Sequence, residues 1–345
     1  MTLFDAAHYL NKIIYNVKTP PAFYQLAQGS KQPTLDDIVE GILLLLTNEG
    51  YPTENVSVSL VDLTGNCCDY AQYQDTERRY PASIVKLFWI VALYGHYQAG
   101  MLEADNAVNS ADEALMVHYS NNGASSRILD AITGTESGDD LEADPLKVWI
   151  ASRQQVNEYF LGANYSDLNI AHKTFPIPDL ALDERAGRDS QFAVGTESAA
   201  DDLTARNYLT TLSTARLLYE IHTGQAISQE YSDRIKAHLQ HSTDPEVWQS
   251  EDSNAIEDFF GEYLPPTVQL QTKLGYTFDD GRQEAAIIAS EDGQTQFILV
   301  VFANDSRYSQ EGSKAFPEIA RYVYEQMTLR SQSSRTGSTT AMEEE

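Results

Sequence analysis

The sequence predicts an α+β protein in which an antiparallel sheet flanked by helices is joined to an all-helical lobe. A helix and two strands come first, a long helical region follows, and three strands and a helix complete the pattern. The segments from the two ends can pair in one antiparallel sheet with helices packed on it. The predicted α/β part therefore comprises residues 34–75 and 265–329, and the helical lobe comprises residues 76–264.

The first elements are indicated by a helix cap and by alternating side chains. Thr34, followed by Asp36 and Asp37, is typical of a helix start, because a hydroxyl caps the free N–H groups and acids favour the first turn. Residues 55–63 alternate apolar and polar side chains as a half-buried strand does. Residues 68–73 are predicted to be the returning strand.

The middle of the chain is largely helical, apart from one long segment. Residues 175–202 are irregular and contain several Pro and Gly, and a stretch of that length is usually either functional or mobile. Helix returns over residues 204–223. After Pro265 and Pro266 the pattern changes to three strands, with a turn at Asp292-Gly293, and a closing amphipathic helix: residues 267–274, 283–290, 295–303 and 315–329.

The two ends of the chain are predicted to lie outside this domain. Residues 1–33 are mixed in composition and are expected to form an N-terminal extension. Residues 330–345 are polar and low in apolar side chains, so we expect a disordered tail. The catalytic domain is therefore assigned to residues 34–329.

The charge composition argues against two classes of binding partner. The chain has 345 residues, 42% of them hydrophobic, and a formal net charge of −28. A field of that sign repels nucleic acid and anionic membrane surfaces, although a few local lysines can still hold a small anionic ligand.

No cofactor, metal site or membrane span is expected. The cysteines, Cys67 and Cys68, are adjacent, and no Cys/His zinc pattern occurs. The longest apolar run, residues 84–94, is interrupted by Lys86 and is too short to cross a bilayer. The N-terminus lacks the pattern of a signal peptide, so we expect a soluble chain and leave its compartment and oligomeric state open.

Ser83 and Lys86 are the first candidates for catalysis. They stand three residues apart just before an apolar helix, and positions i and i+3 share a helix face. A serine hydroxyl becomes a strong nucleophile when a neighbouring base takes its proton, and a desolvated lysine can be that base. The pair alone is weak evidence, since a capping serine and a surface lysine have the same spacing.

Two further motifs strengthen this interpretation. Ser120 and Asn122 form a Ser-x-Asn motif in the helical lobe, and Lys273 and Gly275 form a Lys-x-Gly motif on a strand. The three motifs, in this order, are those of the active-site serine penicillin-recognising enzymes.

The chain resembles the class A β-lactamase-like family, which is shared with the D-Ala-D-Ala peptidases, from about Leu35 to Met327. The flanks match as well: residues 56–62 resemble the first strand, residues 79–83 the approach to the nucleophile, and residues 207–211 the segment after the Ω loop. The resemblance implies the β-lactamase/transpeptidase-like fold and an acyl-enzyme mechanism without metal.

The resemblance also implies catalytic roles. Ser83 is the nucleophile, and Lys86 is the acylation base, with a pKa lowered by burial and by Lys273. Ser120 relays a proton to the leaving nitrogen. The backbone N–H groups of Ser83 and Tyr276 form the oxyanion hole.

For substrate binding, the resemblance implies that Asn122 holds the side-chain amide of the substrate. Lys273, in the Lys-x-Gly motif with Gly275, supplies positive charge for its carboxylate. Leu274 replaces the Thr or Ser usual after the lysine, so the hydroxyl of Tyr276 or Thr277 is expected to substitute.

Other departures concern Asn121 and the Ω loop. Asn121 replaces an aspartate that mainly ties the two lobes together, which is a mild change. Between residues 168 and 204 the chain lacks the Glu-x-x-Leu-Asn element that activates the deacylating water. The remaining candidates for that base are weak: Asp179, Asp183, Glu184 and Glu197.

The leading functional hypothesis is a serine hydrolase that opens β-lactams, or is at least acylated by them. The first alternative is a D-Ala-D-Ala carboxypeptidase or esterase-like penicillin-binding protein acting on an acyl-D-Ala-D-Ala-like peptide. The second alternative is a catalytically idle homologue that binds ligands.

Overall fold

The computed structural model describes residues 33–64, 68–103, 108, 110–196, 205–251 and 254–340. The predicted N-terminal extension, up to residue 32, and residues 341–345 lie outside the described residues.

The sheet has six antiparallel strands in the order β2-β1-β6-β5-β4-β3. Helices flank it, so the predicted α+β class with an antiparallel sheet is confirmed. The short edge strand β3 comes from the range assigned to the helical lobe and pairs with β4. The strands are β1 Val56–Asp62, β2 Asp69–Tyr73, β3 Gln240–His241, β4 Gln269–Thr277, β5 Gly281–Ala289 and β6 Gln296–Ala303.

Helices cover the sheet and build the lobe beside it. In chain order they are α1 Leu35–Asn48, α2 Val85–Gln98, α3 Ser110–Val117, α4 Asn122–Thr133, α5 Ala143–Arg153, α6 Gln155–Gly162, α7 Gly187–Thr196, α8 Thr211–His222, α9 Gln229–Leu239, α10 Pro245–Trp248 and α11 Ala315–Thr340. Short 3-10 turns lie at Ala82–Ile84, Pro178–Leu180, Phe260–Tyr263 and Ser306–Ser309.

Two hydrophobic cores lie on opposite faces of the sheet. Helices α1 and α11 cover one face, where Val58, Leu299 and Phe316 are fully buried. Helix α8 packs on the other, with Val300 and Leu217 buried in a core that also contains α2. The sheet is therefore a middle layer, and α2 belongs to the core that the sheet shares with the helical lobe.

Helix α2 is the central helix of the molecule. Every residue from Val85 to Tyr94 is buried, as expected for a helix that is apolar on all sides. The indole Nε1 of Trp89 donates to the carbonyl oxygen of Ile170 at 2.8 Å, so the one polar atom of that side chain is satisfied. This setting takes Lys86 out of contact with water.

One prediction about irregular segments is wrong. Residues 175–202 include helix α7, because Phe192 is buried there and stacks on His172 with 4.3 Å between ring centroids. Helix α11 continues to Thr340, past the boundary predicted at residue 329, and the disorder of the tail stays a prediction. Arg330 holds this extension by donating from Nε to Asp62 Oδ2 at 2.9 Å.

No helix in the described part of the chain combines the length and the apolarity that a bilayer crossing requires.

The cap of α1 gives a stability prediction. Thr34 Oγ1 accepts from the N–H of Asp37 at 3.1 Å, while the Asp37 carboxylate accepts from the N–H of Thr34 at 2.9 Å. Thr34→Ala should lower the free energy of unfolding by about 1 kcal/mol, as measured in denaturant. The control is Thr47→Ala in the same helix, where the exposed hydroxyl only donates to Leu43 O. An equal loss in both variants would contradict the assignment.

Candidate active site

Ser83 lies in the 3-10 turn Ala82–Ile84 that leads directly into α2. The side chain is half-buried. Ala82, just before it, has φ = +44°, which is unusual for a residue other than glycine. Such strained positions persist only where the surrounding structure enforces them, and they cluster at functional sites.

Strand β4 runs beside this turn, and Gly275 makes the approach possible. A Cβ atom at Gly275 would lie 2.7 Å from the carbonyl oxygen of Pro81 and 3.1 Å from Ala82 Cβ. The Lys-x-Gly motif therefore needs its glycine for close backbone contact with the turn that carries Ser83.

The amine of Lys86 is fully buried and contacts both members of the Ser-x-Asn motif. Its Nζ donates to Asn122 Oδ1 at 2.7 Å and to the backbone oxygen of Ser120, and it lies within hydrogen-bond distance of Ser120 Oγ, at 3.2 Å. Burial, followed by the positive charge of Lys273, lowers the pKa of Lys86 well below its ordinary value. The structure thus favours the neutral amine, which is the form that can accept a proton.

Ser120 lies between the two lysines. Lys273 Nζ donates to Ser120 Oγ at 2.9 Å, and Lys86 Nζ lies 3.2 Å from the same oxygen. A neutral amine has two N–H groups, which Lys86 uses on Asn122 and on the backbone oxygen of Ser120, so the Ser120 hydroxyl can donate to its lone pair while accepting from Lys273. The backbone of Ser120 has φ = +55°, a second strained position.

Lys273 is buried, and its surroundings disfavour the charged form of its amine. Burial lowers its pKa to about 7, although the carboxyl of Glu284 acts in the other direction. Glu284 is fully buried on β5, accepts from the N–H of Phe260 at 2.8 Å and from Thr272 Oγ1 at 2.7 Å, and has its pKa raised by burial to about 8. Glu284 was not predicted from the sequence, because only the pairing of β4 with β5 brings it near Lys273.

The side chain of Asn122 is held from three directions. Besides Lys86, the hydroxyl of Thr174 donates to its Oδ1 at 2.9 Å, and its Nδ2 donates to the carbonyl oxygen of Pro176 at 2.9 Å. These contacts fix the orientation of the amide and leave the second N–H of Nδ2 for another acceptor. Neither Thr174 nor Pro176 was predicted as a site residue from the sequence, although Pro176 lies in the irregular segment of residues 175–202.

The hydroxyls of Tyr276 and Thr277 are engaged within the protein. Tyr276 donates to the carbonyl oxygen of Ser309 at 3.2 Å, and Thr277 donates to Asp280 Oδ2 at 3.2 Å while accepting from the N–H of Asp280 at 2.9 Å. That either hydroxyl substitutes for the one absent at Leu274 stays a prediction.

The candidate acids of the Ω-loop segment that the structure describes are paired or exposed. Asp179 pairs with Arg127, Oδ2 to Nη1, at 2.5 Å, and Asp183 and Glu184 are exposed. Glu197 lies outside the described residues. Within the described ranges, no group of three His, Cys, Asp or Glu side chains has an arrangement that could hold a metal ion.

The family follows from a match over most of the chain. Residues 37–327 match the model of the beta-lactamase enzyme family, and the chain belongs to that family. A search of curated proteins finds no match.

Solved structures share the fold at low sequence identity. A beta-lactamase from Chitinophaga pinensis DSM 2588 is 14% identical, with a TM-score of 0.58 over 84% of this chain and 98% of that one. A class A beta-lactamase representative from Bacteroides cellulosilyticus DSM 14838 is 15% identical, with a TM-score of 0.56 over 86% and 99%. A mutant of PBP-A, in an acyl-enzyme complex with penicillin G, is 14% identical, with a TM-score of 0.55 over 84% and 96%.

Substitution of Gly275 tests the contact between β4 and the Ser83 turn. Gly275→Ala should lower the free energy of unfolding by about 1–3 kcal/mol, because the new methyl group meets the backbone at Pro81. The control is Gly162→Ala, where nothing lies within 4 Å of the added atom. Denaturant unfolding measures both variants, and equal stability of the two would contradict the close contact.

Proposed function

We propose that the protein is a serine hydrolase of the class A β-lactamase type, which opens the amide of a β-lactam through an acyl-enzyme on Ser83. The observation that carries this proposal is the hydrogen-bonded chain Lys86–Ser120–Lys273, which lies beside the Ser83 turn and contains a buried amine with a lowered pKa. The alternative interpretation of Ser83 and Lys86, a helix-capping serine and a surface lysine, does not account for a buried amine in such a chain of hydrogen bonds.

In the acylation step, the neutral amine of Lys86 takes the proton of Ser83 Oγ. The oxygen bonds to the carbonyl carbon, and the oxyanion is held by the backbone N–H groups of Ser83 and Tyr276. The C–N bond then breaks as Ser120 gives its proton to the leaving nitrogen, and Ser120 recovers a proton from the Lys86 ammonium. The positions of Lys86 and Ser120 allow this exchange, since Nζ and Oγ are 3.2 Å apart.

Substrate binding is assigned to Asn122 and Lys273. The free N–H of the Asn122 amide faces an amide oxygen of the substrate, and Lys273 attracts its carboxylate. A charge at contact distance outweighs a screened field from distant acids, so the net charge of −28 does not prevent an anionic substrate from binding.

Slow deacylation, as in a penicillin-binding peptidase, is the second candidate function. It is favoured by the placement of the acids: Asp179 is paired with Arg127, and the segment that contacts Asn122 offers a hydroxyl and a carbonyl from Thr174 and Pro176 rather than a carboxylate. Without an activated water, the ester of Ser83 would form faster than it is hydrolysed.

Labelling by a fluorescent penicillin tests the nucleophile. Wild-type protein should gain the mass of one penicillin, and Ser83→Ala should lose this adduct completely, because Ser83 is the proposed nucleophile. The matched control is the exposed loop serine, Ser166→Ala, which should label like the wild type. An adduct that survives in Ser83→Ala would disprove the assignment.

Intact mass over time separates the candidate functions. Turnover of a chromogenic cephalosporin with a short-lived adduct indicates a β-lactamase, and a persistent adduct indicates penicillin-binding behaviour. A folded wild-type sample with neither would contradict both and favour an idle homologue.

The pH dependence of acylation tests Lys273. Because its pKa is about 7, the cation is lost above that pH, and kcat/KM for acylation by a carboxylate-bearing β-lactam should fall by up to about tenfold per pH unit. Lys273→Arg keeps its charge and should move this alkaline limb to higher pH. The methyl ester of the same β-lactam is the control and should show no such limb. An identical alkaline limb for acid and ester would contradict the role of Lys273.

A further inference from the structure

Two histidine rings, from segments next to Ser120 and Lys273, stack on each other. The imidazoles of His118 and His241 are nearly parallel, with 4.1 Å between centroids and an interplanar angle of 10°. His118 belongs to the loop that leads from α3 to Ser120, whereas His241 is the second residue of edge strand β3. The stack therefore joins a loop of the helical lobe to the sheet.

Each ring is also fixed on its own side. His118 Nδ1 lies 3.2 Å from the carbonyl oxygen of His238, and since a carbonyl can only accept, this nitrogen carries the proton. His241 is buried, and its strand pairs with β4 at Leu270, three residues before Lys273. Movement of either ring would thus move the backbone next to a site residue.

The site needs such a connection because Ser120 must meet two lysines that come from different elements. Its hydroxyl is hydrogen-bonded to Lys86 of α2 and to Lys273 of β4, while its backbone is held at positive φ. Asn121 contributes within its own lobe, where its side chain caps α4 by accepting from the N–H of Ala124 at 2.8 Å.

We propose that His118 and His241 are positioning residues, whose stacked rings hold the Ser120 loop against Lys273. The inference rests on the proposed function, because Ser120 is taken as the proton relay of that reaction.

The surroundings of the stack favour a neutral ring at His241. Burial, with His118 and Lys273 adding to it, lowers the pKa of His241 to about 3. Lys273 of β4 is the charged group near His241. On the side of His118, the ring of His238 lies 3.7 Å from the carboxylate of Glu113, which also pairs with Arg234. A proton on both rings would place like charges about 4 Å apart and weaken the stack. The connection is therefore expected to loosen in acid.

The test compares His241→Ala, which removes the ring, with His241→Phe, which keeps a ring that cannot be protonated. His241→Ala should slow acylation of Ser83 by a fluorescent penicillin roughly tenfold and increase amide hydrogen exchange over residues 118–122. His241→Phe should recover the rate to within about threefold and extend acylation to lower pH than the wild type. His96→Ala is the control, because His96 stacks on Tyr159 at the far end of α2.

The outcomes separate the two proposals. Wild-type acylation and wild-type exchange in His241→Ala would overturn the positioning role, and so would an equal loss of rate in both variants with unchanged exchange. If the wild type is not labelled at all, the proposed function fails, and the exchange at residues 118–122 alone decides whether the stack holds the loop.

Discussion

The burial of one amine is the constraint on which the site depends. Lys86 lies in a helix in which the neighbouring positions are all apolar. The hydrogen-bond partners of its Nζ are Ser120 and Asn122, and neither carries a negative charge. A charged ammonium without a carboxylate is costly in such a place. The surroundings therefore select the neutral base, and the Ser-x-Asn motif must lie where it can satisfy that base.

The second lysine reinforces this arrangement. Lys273 lies on the sheet and is hydrogen-bonded to the hydroxyl of Ser120. Burial lowers the pKa of Lys273 and raises the pKa of the nearby Glu284, so the carboxyl of Glu284 stabilises the lysine cation only weakly. Close contact of β4 with the Ser83 turn, which depends on Gly275, brings the two lysines to one hydroxyl. The three motifs are thus parts of a single network that spans both lobes.

Much of this could be predicted from the sequence because the motifs are short and local. Ser83, Lys86, Ser120, Asn122 and Lys273 were found from their spacing, and the structure brings the last four into direct contact. The capped start of α1 and the hairpin of β5 and β6 were equally visible from the sequence.

The parts that were missed depend on contacts between residues far apart in the chain. The bonds of Thr174 to Asn122 and the stack of His118 on His241 arise only after folding. The glycines of α7 and the polar composition of the end of α11 gave no indication of helix in the sequence. The burial of Phe192 and the pairing of Arg330 with Asp62 are tertiary contacts, which form only after folding. Local propensity carries no information about either partner.

The lowered pKa of Lys273 has a thermodynamic consequence for the whole chain. In the unfolded state this amine keeps its proton up to its ordinary pKa of 10.5, whereas in the folded state the proton is lost above about 7. Glu284, whose pKa is raised to about 8, takes up a proton on folding near that pH and offsets this difference progressively less as the pH rises further. Folding in mildly alkaline solution is therefore a proton-releasing reaction. Its measured heat should include the ionisation enthalpy of whichever buffer takes up that proton, so the site contributes to the calorimetry of folding even when no substrate is present.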